Sequence, residues 1–402
     1  MSRSLRAWAG NLVLLALGLV LPILGAEGAL RLVARSQPGG KEQVERNRYT
    51  EYDPVLGWRK KPGARVTYVR RDYRSEFVIN DLGLRCPSLQ HEKPAATLRV
   101  LALGDSFVEA FMVRDEETVT AQLEAALRKR LGCSVEVING GTVGYSTDQE
   151  YLFYREEGRR YSPDLTILFT YHNDIPYLVR EKYYDFPKPR LNFDESPPRI
   201  VNEPVPPYEP APEVPSASAP PLRGSYLLEF IKDRVERGSA RTYNRIASWG
   251  VWERLRTLPR NDEIDLYRAP PYRHLNAPWS AYTWAVESLH KLIEADHSQL
   301  IVAYVPSRME VNDSDYEVTE ARYGVTSESF DRKAVRDRVE MVSGRFKIPF
   351  LDFTGALRNA DRRFRPVYFP TDSHWNARGQ ATAGEAAAAF ITDQHLLKCP
   401  AH

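Results

Sequence analysis

Ser106 closes the tripeptide Gly104-Asp105-Ser106, directly behind the apolar run Leu98–Leu103. Such a run reads as a buried strand, which would put the serine hydroxyl at its C-terminal tip, the edge where open α/β sheets bind ligands. The tripeptide alone is weak, because Gly, Asp and Ser are common in turns. Its weight comes from partners further along the chain. A serine hydroxyl is a poor nucleophile near neutral pH and needs a base. His374 lies in Thr371-Asp372-Ser373-His374-Trp375-Asn376, after the fifth strand-like run and before the last helix, which brings it to the same edge. Asp372 would hold the imidazole in the useful tautomer and stabilise the imidazolium. Between them stand Asn139-Gly140-Gly141-Thr142-Val143-Gly144 and Tyr171-His172-Asn173-Asp174.

Together these four segments resemble the blocks of the SGNH, or GDSL-type, hydrolases, over residues 97–180 and 298–395. In that family the block serine is the nucleophile, and its own amide, a glycine and an asparagine side chain form the oxyanion hole. The resemblance therefore assigns Ser106, Gly144 and Asn173 as oxyanion donors, with Gly144 fitting the block spacing better than Gly141. The acid commonly stands three residues before the histidine, where this chain has Thr371, which supplies no charge. Asp-x-His-Trp-Asn is similar instead to the alginate-acetylation branch, whose acid stands two residues before; a Ser-His pair with a distant acid is the alternative. His172 would narrow the pocket, contact substrate or simply pack. Asp105 and Asp174 read as turn caps, and Trp375 and Asn376 as packing and capping residues of the last helix. No metal motif supports a site built from Asp372, His374, His172 and Asp174, and no phosphate-cradling loop is present. No cofactor is expected.

The elements that must position these residues follow a regular alternation. Strands are expected at Leu98–Leu103, Val135–Ile138, Leu165–Thr170, Leu300–Val305 and Pro349–Phe353. Helices are expected at Val119–Leu131, from the Thr147-Asp148-Gln149-Glu150 capping box to Arg160, at Ala281–Ala295, at Phe330–Arg345 and at Ala377–Gln394. Such alternation implies a three-layer α/β/α sandwich around a parallel five-stranded sheet, flavodoxin-like in its order. The domain reading is 1–36 as a membrane anchor or signal segment and 37–96 as a linker (37–60) and β-arm. The first part of the sandwich is 97–180, a proline-rich and helical insertion is 181–275, and the second part is 276–402. Within the insertion, residues 185–221 hold twelve prolines, and Tyr226–Thr257 reads as helical.

Net charge is +2 over 402 residues, so nothing argues for nucleic acid. The three cysteines, Cys86, Cys133 and Cys399, match no zinc spacing and allow at most one intrachain bridge. Arg3 and Arg6 precede an apolar run from Ala7 to Ala26, about the length that crosses a bilayer core as a helix. The helical pattern continues through Leu30, Leu32 and Val33, which favours a retained anchor over a cleaved signal peptide. The resemblance implies a membrane-anchored, extracytoplasmic serine esterase or O-acetyltransferase acting on O-acyl groups, O-acetyl above all, of a cell-envelope glycan. Its partners would be an O-acylated carbohydrate or another ester, and a membrane-bound acyl donor. The rival reading is a non-catalytic, membrane-tethered glycan-binding or assembly protein with the same fold.

Overall fold

A computed structural model describes residues 3–36, 49–70, 72–184, 186–193, 198–208, 225–255, 258–259, 261–362 and 365–400. The five strands that organise it are β1 (Thr97–Leu103), β2 (Ser134–Asn139), β3 (Leu165–Thr170), β4 (Gln299–Tyr304) and β5 (Phe350–Asp352). They pair in the order β5-β4-β3-β1-β2, all parallel. Every residue of β1 and β3 is buried, as a parallel sheet covered on both faces requires. Side chains alternate between the two faces. Leu98, Val100 and Ala102 enter one core with Phe169 and Ala303, whereas Leu101 and Leu103 enter the other with Leu168 and Tyr304. The first core is closed by helices that include α2 (Val119–Leu131) and α6 (Ala377–Asp393). The second is closed by others that include α3 (Thr147–Glu156), α4 (Asn276–Ala295) and α5 (Ala334–Arg345). The four-residue α1 (Ser106–Glu109) follows β1.

The expected α/β fold with its parallel sheet is present. Strand order reverses at β1, whose neighbours are β2 and β3, so the carboxyl ends of β1 and β3 open a crevice at the switch point. Boundaries move where local chemistry dictates. The second helix is capped by Ser146, one residue before the expected box, because Ser146 is extended (φ −124°, ψ 170°) and pairs reciprocally with Gln149. That helix ends at Glu156, and a 3-10 turn completes the stretch to Tyr161. The linker expected over 37–60 also ends early. Its residues 37–48 lie outside the described ones, but from Tyr49 the chain forms paired strands Thr50–Asp53 and Gly57–Lys60, then Arg65–Val69 and Arg74–Val78.

The chain divides into two compact units, one of Val44–Ala211 with Thr257–His402, the other of Met1–Gln43 with Pro212–Arg256. The first holds the sheet. In the second, the helix Arg3–Ser36 runs unbroken over 34 residues, and the Glu27 carboxylate on it accepts from Ser225 Oγ (2.8 Å) and from the amides of Tyr226 and Leu227. Glu27 thereby caps the helix Tyr226–Gly238. The expected helical stretch breaks at Ser239, which is extended and caps a further helix, Ala240–Ser248. Among the described residues no helix is long and apolar enough to cross a membrane. Most side chains of the Ala7–Ala26 run lie outside the described ones.

Candidate active site

The turn after β1 is built around Asp105. Its carboxylate accepts from the Phe107 amide (2.9 Å) and so caps α1, which begins at Ser106. The first amides of a helix lack intrahelical acceptors, and the Ser106 amide is one of them. Ser106 is 6 % exposed. Its Oγ lies 2.7 Å from His374 Nε2 and 3.3 Å from Asp105 Oδ2.

His374 arrives on a closed loop before α6. The Asn376 amide donates to Val367 O and the Phe369 amide to His374 O, both at 3.0 Å. Within that loop Asp372 Oδ1 accepts from the backbone amide of His374 (3.0 Å) and also from its ring Nδ1–H. An aspartate bonding the amide two residues on is an Asx-turn. The spacing of acid and histidine thus has a local cause: one carboxylate fixes both backbone and ring. Burial pushes Asp372 up, but the hydrogen bonds and charge of His374, together with the Tyr73 hydroxyl, more than offset it and hold the carboxyl at about 2. Thr371 turns away, donating its amide and hydroxyl to Asp72. Trp375 is fully buried against Phe107 and Phe353, and Asn376 caps α6 through the amides of Arg378 and Gly379.

The glycine loop after β2 comes up beside the Ser106 turn. A Cβ on Gly141 would stand 2.5 Å from the Glu109 amide nitrogen, so this glycine serves close packing. Gly144 has φ +75°, a conformation that favours glycine for a different reason. After β3, the Asp174 carboxylate caps the turn by accepting from the Tyr171 amide (2.8 Å). Asn173 precedes it, and its carboxamide acts on Asp105. Asp105 is pushed up by burial, and Glu150 and Asp174 nearby are pushed well up by burial and by neighbouring carboxylates. Among the described residues no group of three or more His, Cys, Asp and Glu is arranged to hold a metal ion.

Several supporting residues escaped the sequence reading, and the segment before β1 supplies most of them. Lys60 is buried and its ammonium donates to Gly141 O and to Thr142 Oγ1 (2.9 Å). Burial pulls it down to about 8 against the opposing charge of Glu109. The Trp58 indole donates to Val143 O (3.2 Å). Glu109 bridges Tyr49 OH (2.8 Å) and the Val143 amide (2.6 Å). Tyr73 OH reaches Asp372 Oδ2 at 3.2 Å. From beyond β4, Arg308 donates to the carbonyls of Phe369 (3.1 Å) and Pro370 (3.0 Å) in the His374 loop. The sequence signal for Lys60 and Tyr73 is only their place in an otherwise polar stretch.

Residues 266–402 match the family model described as SGNH hydrolase-like domain, acetyltransferase AlgX, a range that contains Asp372, His374 and Trp375. The family match defines the class of that span: residues 266–402 are SGNH hydrolase-like. The likeness to the alginate O-acetylation branch runs over the C-terminal third. Similar solved structures include a putative lipolytic protein of the G-D-S-L family from Desulfitobacterium hafniense, at 12 % identity, 73 % coverage of this chain, 98 % of that one and a TM-score of 0.35. Another is a catalytic mutant of an acetylxylan esterase from Geobacillus stearothermophilus, at 11 % identity, with 73 % and 94 % coverage and a TM-score of 0.36. A GDSL-like lipase from Bacteroides thetaiotaomicron stands at 12 %, 77 % and 93 %, with a TM-score of 0.33. No curated protein sequence matches this chain.

Proposed function

We propose that this chain is a serine esterase or O-acetyltransferase acting on a cell-envelope glycan. The observation that carries the reading is the row Ser106 Oγ, His374 and Asp372, with 2.7 Å between Oγ and Nε2 and a carboxylate on Nδ1–H. In this reading Ser106 Oγ attacks the acyl carbonyl while Nε2 takes its proton. The tetrahedral oxyanion is received by the amides of Ser106 and Gly144 and the side-chain amide of Asn173. Collapse returns the proton to the departing alcohol and leaves an acyl-serine. Water or a sugar hydroxyl then gives its proton to Nε2 and attacks, restoring Ser106 and releasing acid or a new ester.

The acetyl group and the glycan are supported by the acetyltransferase description of the matching family model and by the Asp-x-His-Trp segment. An extracytoplasmic site is supported by the Cys133–Cys399 disulfide, a bond that persists in oxidising compartments. Tethering rests on the apolar run Ala7–Ala26.

The test is turnover of an aryl acetate together with fluorophosphonate labelling. Ser106→Ala should lose labelling and lower turnover by several orders of magnitude while remaining folded. Asp372→Asn should lower it on the order of 10⁴-fold, and Thr371→Ala should do little. A wild-type protein that neither labels nor turns over would favour the glycan-binding reading instead.

A further inference from the structure

Around His172 the chain leaves a hydrogen-bonding need that its own groups do not meet. The buried carboxylate of Glu310 takes four donors: the Ser307 amide (2.7 Å), Ser307 Oγ (2.8 Å) and Tyr267 OH (3.0 Å) on Oε2, and Tyr304 OH (2.7 Å) on Oε1. Tyr267 has one proton and gives it to Glu310, so its oxygen can only accept from His172 Nδ1, 2.9 Å away. Nδ1 therefore carries the ring proton and Nε2 keeps a lone pair. Burial holds the imidazole neutral, drawing it down to about 3.

Nε2 stands 3.9 Å from Oε2 of Glu263, beyond hydrogen-bond reach. Burial pushes the Glu263 carboxyl up against the charge of Arg180, which is itself paired with Asp262. An imidazole lone pair and a carboxylate oxygen thus face each other, one residue away from Asn173, with no donor between them. The packing between His172 and His374 is aromatic. Rings of His374, Phe107, Tyr171 and His172 follow one another at centroid separations of 4.9, 4.6 and 4.1 Å. The row joins His172 to the Ser106–His374 pair through Phe107, which is wholly buried.

We infer that His172 and Glu263 bind two adjacent hydroxyls of the sugar that receives the acyl group. A vicinal diol presents two O–H donors side by side, one for Nε2 and one for Oε2. This rests on the acyl-transfer reading of Ser106. It also assigns a task to the segment between β3 and β4, because Glu263 lies on its short helix Asp262–Asp265.

The experiment measures acetyl transfer by the full-length protein from an aryl acetate to xylohexaose, chitohexaose and a hexauronate. His172→Ala and Glu263→Ala should each raise the acceptor KM about tenfold or more, with a much smaller change in kcat at saturating acceptor. His172→Gln, which keeps an acceptor oxygen, should recover part of the loss. Ring ¹⁵N spectra of Ser106→Ala protein should show an unprotonated Nε2 on His172 whose resonance moves when the preferred hexasaccharide is added. An unchanged acceptor KM in the alanine variants, a protonated Nε2, or a wild type that hydrolyses the aryl acetate yet transfers to none of the three overturns the inference. If the wild type has neither activity, the Ser106 reading fails first, and the ¹⁵N titration with each hexasaccharide still decides for or against His172.

Discussion

The segment before the sheet, residues 49–96, and the segment between β3 and β4, residues 181–275, both interrupt the α/β alternation with polar, weakly periodic sequence. Their relations to the candidate site differ. The first places Trp58 on Val143, Lys60 on Gly141 and Thr142, Tyr49 on the Glu109 carboxylate that also holds the Val143 amide, and Tyr73 on Asp372. Its apolar residues Val66, Tyr68, Phe77 and Ile79 share a core with Phe111 and Phe369, the neighbours of the Ser106 turn and the His374 loop. The second segment sends Lys188 into a buried pair with Asp148 and Glu263 toward His172. Residues 212–256 of it instead group with the N-terminal helix, where Phe230, Trp249 and Val251 remain exposed. A buried charge with every partner supplied by active-site loops marks a strut. Exposed aromatics on helices mark an appendage with another task.

Lys60→Met gives the largest expected break in this contrast. It keeps the stem but strips the donors from Gly141 O and Thr142 Oγ1 and leaves Glu109 without that neighbouring charge. A loss of about 3–5 kcal/mol in denaturant unfolding is expected, with aryl acetate turnover lowered at least about tenfold. A sign follows from its lowered position near 8. Between about pH 8 and 10.5 the unfolded chain binds the proton that the folded one has released, so wild-type stability should rise with pH there, and Lys60→Met should lack that rise. A flat wild-type profile across that window would contradict the burial of a charged strut.

Tyr73→Phe sharpens the same comparison at smaller scale. Only the hydroxyl on Asp372 is removed, so turnover should fall several-fold with Tm nearly unchanged. The acid limb of the pH–rate profile should also move up, since one of the groups holding Asp372 down is gone. Smallest of all should be the effect of removing Met1–Gln43 and replacing Pro212–Arg256 by a short Gly/Ser linker. Aryl acetate turnover should stay within about twofold of the full chain. Membrane fractionation should show the full chain retained after a high-salt wash and the shortened one released. Turnover lost with the appendage would erase the distinction between the two segments.

How much of this could be read beforehand depended on how locally each feature is determined. β3 is expected and found at Leu165–Thr170, because a continuous apolar run between polar flanks has few alternatives in a parallel sheet. The other strands differ at their ends by a residue or so, where pairing rather than composition decides. Ser106, His374 and Asp372 stand out because each sits in a short motif at an element's end. Lys60 does not. A lone lysine in a polar stretch is ordinarily solvated, and its acceptors at Gly141 and Thr142 lie more than eighty residues downstream. The pairing of Cys133 with Cys399 was equally open, since which two of three thiols meet depends on where α2 ends and where the C-terminus returns.

Ser106 and His374 are separated by 268 positions, and β3 with its Asn173 lies between them. This spacing imposes an order on biogenesis. A ribosome that has made the first 300 residues has released Ser106, the glycine loop and Asn173, but neither His374 nor Asp372. The proposed ester chemistry must wait until position 374 has emerged, and a product truncated before it carries Ser106 without the imidazole that lies beside it.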